Sequence, residues 1–172
     1  MFARASLLTV LAAVPALATA QAPLATALRA TEAREARILV AAADAMPAEH
    51  YNYKPTPAQM SFGDVVAHLA EGNDYFCAAI GGMKAPERSK VAATDSKDVL
   101  VARLKETFAF CDTALAGVDD SKLSDELPFF GGRKVTRAAM MIETVNDWAD
   151  HYSQSAIYLR MNDVLPPTAK KP

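Results

Sequence analysis

The chain has 172 residues, with 18 lysines and arginines against 20 aspartates and glutamates, and a formal net charge of −2 at pH 7. Because the two signs of charge are mixed along the sequence, no basic stripe is available to bind phosphates. This argues against nucleic acid and anionic membrane surfaces as partners.

The first twenty residues have the features of a secretory signal peptide. Arg4 supplies a positive charge, an apolar run extends from Leu7 to Leu17, and Ala18-Thr19-Ala20 supplies the small residues of a cleavage site. The apolar run is shorter than the roughly 20 residues that a membrane-spanning helix needs. We therefore predict a signal peptide over 1–20, one mature domain over 21–172, and a periplasmic or secreted location without membrane contact after cleavage.

Four segments of the mature chain have the composition or the periodicity of helices. The first, Pro23 to Ala45, is rich in strong helix formers and has no interior glycine or proline. In the second and third segments, apolar residues recur at intervals of three and four, which indicates one buried face. The predicted helices run from 23 to 45, from Ser61 to the Gly81-Gly82 pair, from 96 to 116 and from 136 to 162.

The segments between these helices read as connectors. The spacing of Ser61 and Asp64 predicts a capping box at the start of the second helix, and Gly117 is predicted to close the third. The connector over 46–59 is rich in proline and tyrosine, 83–94 reads as a long crossover loop, and the stretch before the fourth helix reads as irregular. The resulting fold class is all-α, a four-helix bundle with long crossover connections.

The two cysteines bear on the topology of this bundle. Cys77 and Cys111 each lie about sixteen residues into their helices, so they reach the same height only if the second and third helices run parallel. In an oxidising compartment thiols tend to pair, which favours a disulfide and a parallel arrangement. Two buried unpaired thiols are the alternative.

A metal site is one interpretation of three side chains on two helices. Asp147 and His151 are four residues apart on the fourth helix, so they share one face and are close enough to hold one ion. His68 lies at the edge of the apolar face of the second helix. Two imidazoles and one carboxylate leave coordination positions free for water or substrate. The spacing alone equally suits an Asp147–His151 ion pair and a packed His68.

Other polar and aromatic residues are assigned ordinary roles. Glu71, Asn146 and Asp150 are predicted to be solvated. His50 is predicted not to be a ligand, because nothing fixes its orientation, and Tyr51 and Tyr53 are predicted to pack on the bundle. The sequence has no phosphate-binding glycine loop, no Gly-x-Ser-x-Gly motif and no Cys-x-x-Cys motif.

Three stretches resemble the DinB-like (DinB/YfiT-like) family of four-helix-bundle proteins. The stretch over 46–73, MPAEHYNYKPTPAQMSFGDVVAHLAEGN, resembles the start of the family core, in which the histidine at the position of His68 is a metal ligand. The stretch over 146–167, NDWADHYSQSAIYLRMNDVLPP, resembles the closing helix, whose usual form is His-x-x-x-His, then x-Gly-Gln, Tyr-Leu-Arg and a double proline. FFGGRK over 129–134 extends the likeness over most of the mature chain.

The resemblance implies a metal site with one substitution. Asp147 stands where the family usually has the first histidine of the pair, and Ser153 stands where it usually has glycine. The implied ligands are therefore His68, Asp147 and His151, and the implied cofactor is a divalent transition metal: Zn, Ni, Fe or Mn. A carboxylate binds these metals but lowers affinity for softer ones. Equally, the substitution is compatible with a site that has lost its metal.

Two functions follow from these patterns. The first is a metal-dependent hydrolase or transferase acting on a small-molecule substrate, with the ion activating a water or a thiol. The second is a non-catalytic binding or structural bundle, with a degenerate metal site and a homodimer as one arrangement.

Overall fold

The computed structural model describes residues 22–169, which form four long helices and one small hairpin. The helices are α1 (Pro23–Ala45), α2 (Phe62–Gly81), α3 (Lys97–Leu115) and α4 (Arg137–Met161). Each end agrees with the sequence prediction to within one residue. Single 3₁₀ turns lie in the connectors at Ala48–His50, Asp120–Lys122 and Phe130–Gly132, and another follows α4 at Pro167–Ala169. The predicted signal peptide lies outside the described residues.

The predicted capping box at the start of α2 is confirmed. The Ser61 hydroxyl accepts a hydrogen bond from the Asp64 backbone at 3.0 Å, and the Asp64 carboxylate accepts one from the Ser61 backbone at 2.8 Å. Gly82 ends this helix in the left-handed conformation, with φ of 66°. The predicted role of Gly117 is wrong: Ala116 caps α3 with ordinary right-handed angles, and Gly117 has no positive φ.

The helices α2 and α3 run parallel, as the cysteine heights predicted. Asn73 donates a hydrogen bond to Thr107 at 3.2 Å, and one turn further along both helices Cys77 and Cys111 form a disulfide with a Cα–Cα distance of 5.1 Å. Lys97, the first residue of α3, donates to the carbonyl of Asp44 at the end of α1, so α1 and α3 are antiparallel. The order around the bundle is α1, α3, α2, α4, which makes α2 and α4 neighbours.

The core lies on the axis of this bundle and includes buried polar side chains that are hydrogen-bonded to one another. Trp148 is 1% exposed, and its indole nitrogen donates to Asn73 at 2.7 Å. Tyr51 packs into the core as predicted and donates to the carbonyl of Ala43 at 2.7 Å. Among the described residues, none of the helices combines the length and the apolar character needed to cross a bilayer.

The stretch before α4 was predicted to be irregular, and this is wrong in part. It forms a two-stranded antiparallel hairpin, β1 (Glu126–Pro128) and β2 (Lys134–Thr136), with Leu127 opposite Val135. Strands of three residues are too short to show alternating polarity, and Pro128 removes one backbone donor from the pattern. The fold remains mostly helical.

Candidate metal centre

The structure brings His68, Asp147 and His151 together on the side of the bundle where α2 and α4 pack. The His68 Nε2 atom lies 3.7 Å from Asp147 Oδ1, and the His151 Nε2 atom lies 3.4 Å from the same oxygen. The two imidazole rings meet edge to face with centroids 4.8 Å apart. One ligand atom from each residue lies within 4.8 Å of the other two.

These separations suit a single metal ion. An ion with metal–ligand distances of about 2.0–2.2 Å keeps its ligand atoms roughly 3.0–3.5 Å apart. The two measured distances to Asp147 Oδ1, 3.4 and 3.7 Å, are close to this range. The ligand atoms of the three residues all lie within 4.8 Å of one another, and His68 has room to move closer because it is the most exposed of the three, with 49% of its side chain accessible.

A chain of hydrogen bonds fixes the orientation of the His151 ring. The Tyr158 hydroxyl donates to the backbone carbonyl of Met60 at 2.9 Å. Because that carbonyl only accepts, the single hydroxyl hydrogen of Tyr158 points to it. The amide nitrogen of Gln154 must therefore donate to the Tyr158 oxygen, at 3.2 Å, and the amide oxygen of Gln154 must accept from His151 Nδ1, at 3.0 Å. The hydrogen of a neutral His151 therefore sits on Nδ1. Its Nε2 lone pair faces Asp147, as ligating histidines require.

Burial and charge act in opposite directions at this site. Burial alone raises the pKa of Asp147, but the hydrogen bonds and charges of His151 and His68 outweigh burial and lower that pKa to about 2. Burial lowers the pKa of His151, and its bonds to Asp147 and Gln154 outweigh burial, so this pKa is raised. Asp147 is therefore ionised at neutral pH, which is the state that binds a cation, whereas a protonated His151, which donates from Nε2 to Asp147, must lose that proton before it can bind one.

The exposed side of His68 lines a cleft of about 470 Å³. The cleft lies between α2, the proline-rich connector and the crossover loop, and its lining includes Lys54, Gln59, Met60, Asp64 and Glu71. His151 is 8% exposed and does not line it. A small polar molecule in this cleft would reach the group of ligands from the side of His68.

Two residues of the site were missed by the assignment of roles from sequence. Gln154 matches the family pattern and Tyr158 shares a face with His151, but neither was given a function. The available signal was their spacing, three and seven residues after His151, which places both along one side of α4. The last member of the chain, the carbonyl of Met60, comes from a distant connector and leaves no sequence signal.

The remaining polar and aromatic residues singled out from the sequence lie outside the group of three ligands. Glu71, Asn146 and Asp150 are exposed, as predicted. His50 lies half-buried in a 3₁₀ turn and is not part of the His68, Asp147 and His151 group. Tyr53 packs edge to face against Tyr158 with ring centroids 6.0 Å apart.

Solved structures share this fold. A DinB-like protein from Bacillus subtilis has a TM-score of 0.66 and 20% identity, over 85% of this chain and 99% of that one. A DinB-like protein from Bacillus cereus has a TM-score of 0.69 and 17% identity, over 83% and 95%. A conserved protein from Enterococcus faecalis has a TM-score of 0.64 and 18% identity, over 79% and 95%.

The sequence comparison identifies the family. A search of curated proteins finds no match. The family model described as DinB superfamily matches residues 30–155, which covers most of the chain, including all three candidate ligands. The chain belongs to the DinB superfamily.

Proposed function

We propose that this protein binds one divalent transition metal ion, Zn, Ni, Fe or Mn, through His68, Asp147 and His151. The observation that carries the proposal is the convergence of three ligand atoms within 4.8 Å of one another. The ionised carboxylate and the Nε2 lone pair of His151, which Gln154 orients, support it. Two nitrogen ligands and one oxygen ligand are compatible with all four metals.

The proposed activity is metal-dependent hydrolysis or group transfer on a small molecule. When bound, such an ion supplies Lewis acidity and lowers the pKa of a coordinated water to about 7. The protein contributes three ligands, which leaves positions for water and substrate. Asp147 holds the negative charge of the ligand set, and Gln154 prevents the His151 ring from turning its N–H toward the ligands. The cleft beside His68 gives a small molecule its approach.

We also propose that the protein works outside the cytoplasm, in the periplasm or as a secreted protein. The leader-like segment over 1–20 supports export. The Cys77–Cys111 disulfide also supports export, because structural disulfides persist in oxidising compartments and are rare in the cytosol.

A second candidate is a non-catalytic bundle in which Asp147 and His151 form only an ion pair. The observation that favours it is the same geometry: an aspartate four residues before a histidine on one helix, with 3.4 Å between Oδ1 and Nε2. In that case the aspartate at position 147, in place of the usual histidine, marks a site that has lost its metal.

Elemental analysis of the mature protein, purified without a polyhistidine tag, separates the two candidates. We expect one transition metal ion per chain, lost in both His68→Ala and His151→Ala. His50→Ala is the matched control, because His50 lies outside the site and should leave the metal content unchanged. Absence of metal in the wild-type protein after equilibration with each of the four metals would reject the metal-binding proposal.

A further inference from the structure

A group of aromatic side chains lies beyond the metal centre along α2, where the hairpin packs on that helix. We name Tyr75, Phe76, Phe129 and Phe130 the aromatic shelf. Tyr75 and Phe130 stack with centroids 4.7 Å apart and planes inclined by 24°. Phe76 meets Phe130 edge to face at 5.8 Å and Phe129 at 6.4 Å.

The aromatic shelf lies on the same face of α2 as His68. Tyr75 follows His68 by seven residues, which is two helical turns, or roughly 10 Å along the helix. Gly72 lies between them. A Cβ atom at Gly72 would lie 3.7 Å from Asp147 Oδ2 and 3.9 Å from the Phe76 ring. The candidate metal centre and the shelf are therefore separated by one residue without a side chain.

Glycine inside a helix is destabilising relative to alanine, and here nothing in the backbone requires it. Gly72 has no positive φ. Its effect is that no side chain stands between the Asp147 carboxylate and the Phe76 ring, both of which lie close to this position.

A hydrogen bond to the hairpin and the turn of that hairpin hold the aromatic shelf in place. The Tyr75 hydroxyl donates to the carbonyl of Pro128 at 3.1 Å, which attaches α2 to the hairpin. Gly131 and Gly132, with φ of 68° and 73°, form the turn that follows Phe130. Phe130 is 54% exposed. The Phe130 ring is thus held by stacking on Tyr75 while about half of it faces solvent, so it is available for contact with a bound molecule.

We propose that the aromatic shelf binds a planar apolar group of the substrate, while a metal-binding group on the same molecule reaches the ion. This inference rests on the proposed metal-dependent function and adds a substrate class to it: small molecules that join a polar oxygen-rich head to an aromatic ring. The distance along α2 requires a spacer of a few atoms between the head and the ring.

Two hydroxamate probes of the zinc-loaded protein test this proposal by calorimetry. Acetohydroxamate carries the metal-binding head alone, and 3-phenylpropanohydroxamate adds a phenyl ring on a short spacer. We expect the phenyl probe to bind the wild-type protein at least about tenfold more tightly, since burying a phenyl ring is worth more than that factor. Phe130→Ala should remove most of this preference and leave acetohydroxamate binding and zinc content unchanged.

Ile157→Ala is the matched control, because Ile157 is also 54% exposed but lies near the opposite end of α4. It should retain the full preference. If zinc binds but the two probes have equal affinity, or if Phe130→Ala keeps the preference, the shelf proposal is overturned and the metal proposal stands. If zinc does not bind at all, both proposals fail together.

Discussion

Two carboxyl groups of this bundle are largely withdrawn from water, yet their pKa values move in opposite directions. Glu32 on α1 is 4% exposed, and burial, followed by the charge of Asp112, raises its pKa to about 7. The Asp147 side chain is 23% exposed. Burial again raises its pKa, but the hydrogen bonds and charges of His151 and His68 prevail and lower it to about 2.

The difference lies in the neighbours of each carboxyl group. Glu32 faces the like charge of Asp112, and within residues 22–169 one oxygen of the nearby buried Glu35 has no hydrogen-bond partner, so this region of α1 disfavours the ionised form of its carboxyl groups. Asp147 has two imidazoles at 3.4 and 3.7 Å, so its ionised form is stabilised. An ionised, partly buried carboxylate beside two imidazoles is what a cation site requires, whereas the α1 carboxyls reduce stability when ionised.

The largest effect is expected when the charge of Asp147 is removed without changing its shape. Asp147→Asn should lower zinc affinity by at least about 100-fold, since loss of groups that only support metal ligands already costs about 10- to 100-fold. Competition with a fluorescent zinc chelator measures this affinity. Asp150→Asn, an exposed aspartate on the same helix, is the control and should change zinc affinity less than threefold. Equal effects of the two variants would mean that Asp147 is not a ligand.

The opposite result is expected for the carboxyl group on α1. The folded-state pKa of Glu32, about 7, is above its ordinary value of 4.5, so ionisation destabilises the fold progressively as pH rises from about 4.5 to 7. Glu32→Gln should therefore increase the free energy of unfolding by about 3 kcal/mol at pH 8 and by much less at pH 5.

Urea unfolding of both proteins at the two pH values measures this difference. Glu143→Gln, at an exposed position of α4, is the control and should show no pH-dependent gain. A gain for Glu32→Gln of the same size at pH 5 and pH 8 would show that ionisation of Glu32 is not the cause.

The smallest effect is expected in the hydrogen-bond chain behind His151. Gln154→Leu leaves Nδ1 without its acceptor, so both ring tautomers become accessible and zinc affinity should fall about tenfold. Gln154→Glu keeps an acceptor oxygen at that position and should retain more of the affinity. If the two variants bind zinc equally well, the amide of Gln154 does not orient the ring.

The helices, and the shared face of Asp147 and His151, could be predicted from sequence because their signals are local. Apolar spacing marked the buried face of α2, and the four-residue step from Asp147 to His151 placed both on one face. The hairpin was not predictable from its pattern, because its strands have three residues each. The burial of Glu32 was hidden as well, because a glutamate in an alanine-rich helix ordinarily indicates a solvated face.

The disulfide between α2 and α3 makes the crossover loop part of a covalent ring. The cysteines are 34 residues apart in sequence, and residues 82–96 lie inside that ring. A protease that cuts the loop once would therefore produce two fragments that stay tethered, with His68 still attached to the rest of the chain. The cleaved chain would appear as two bands on a gel only after the disulfide is reduced. Insertions in the loop would leave the spacing of the two helices unchanged, because the disulfide fixes it.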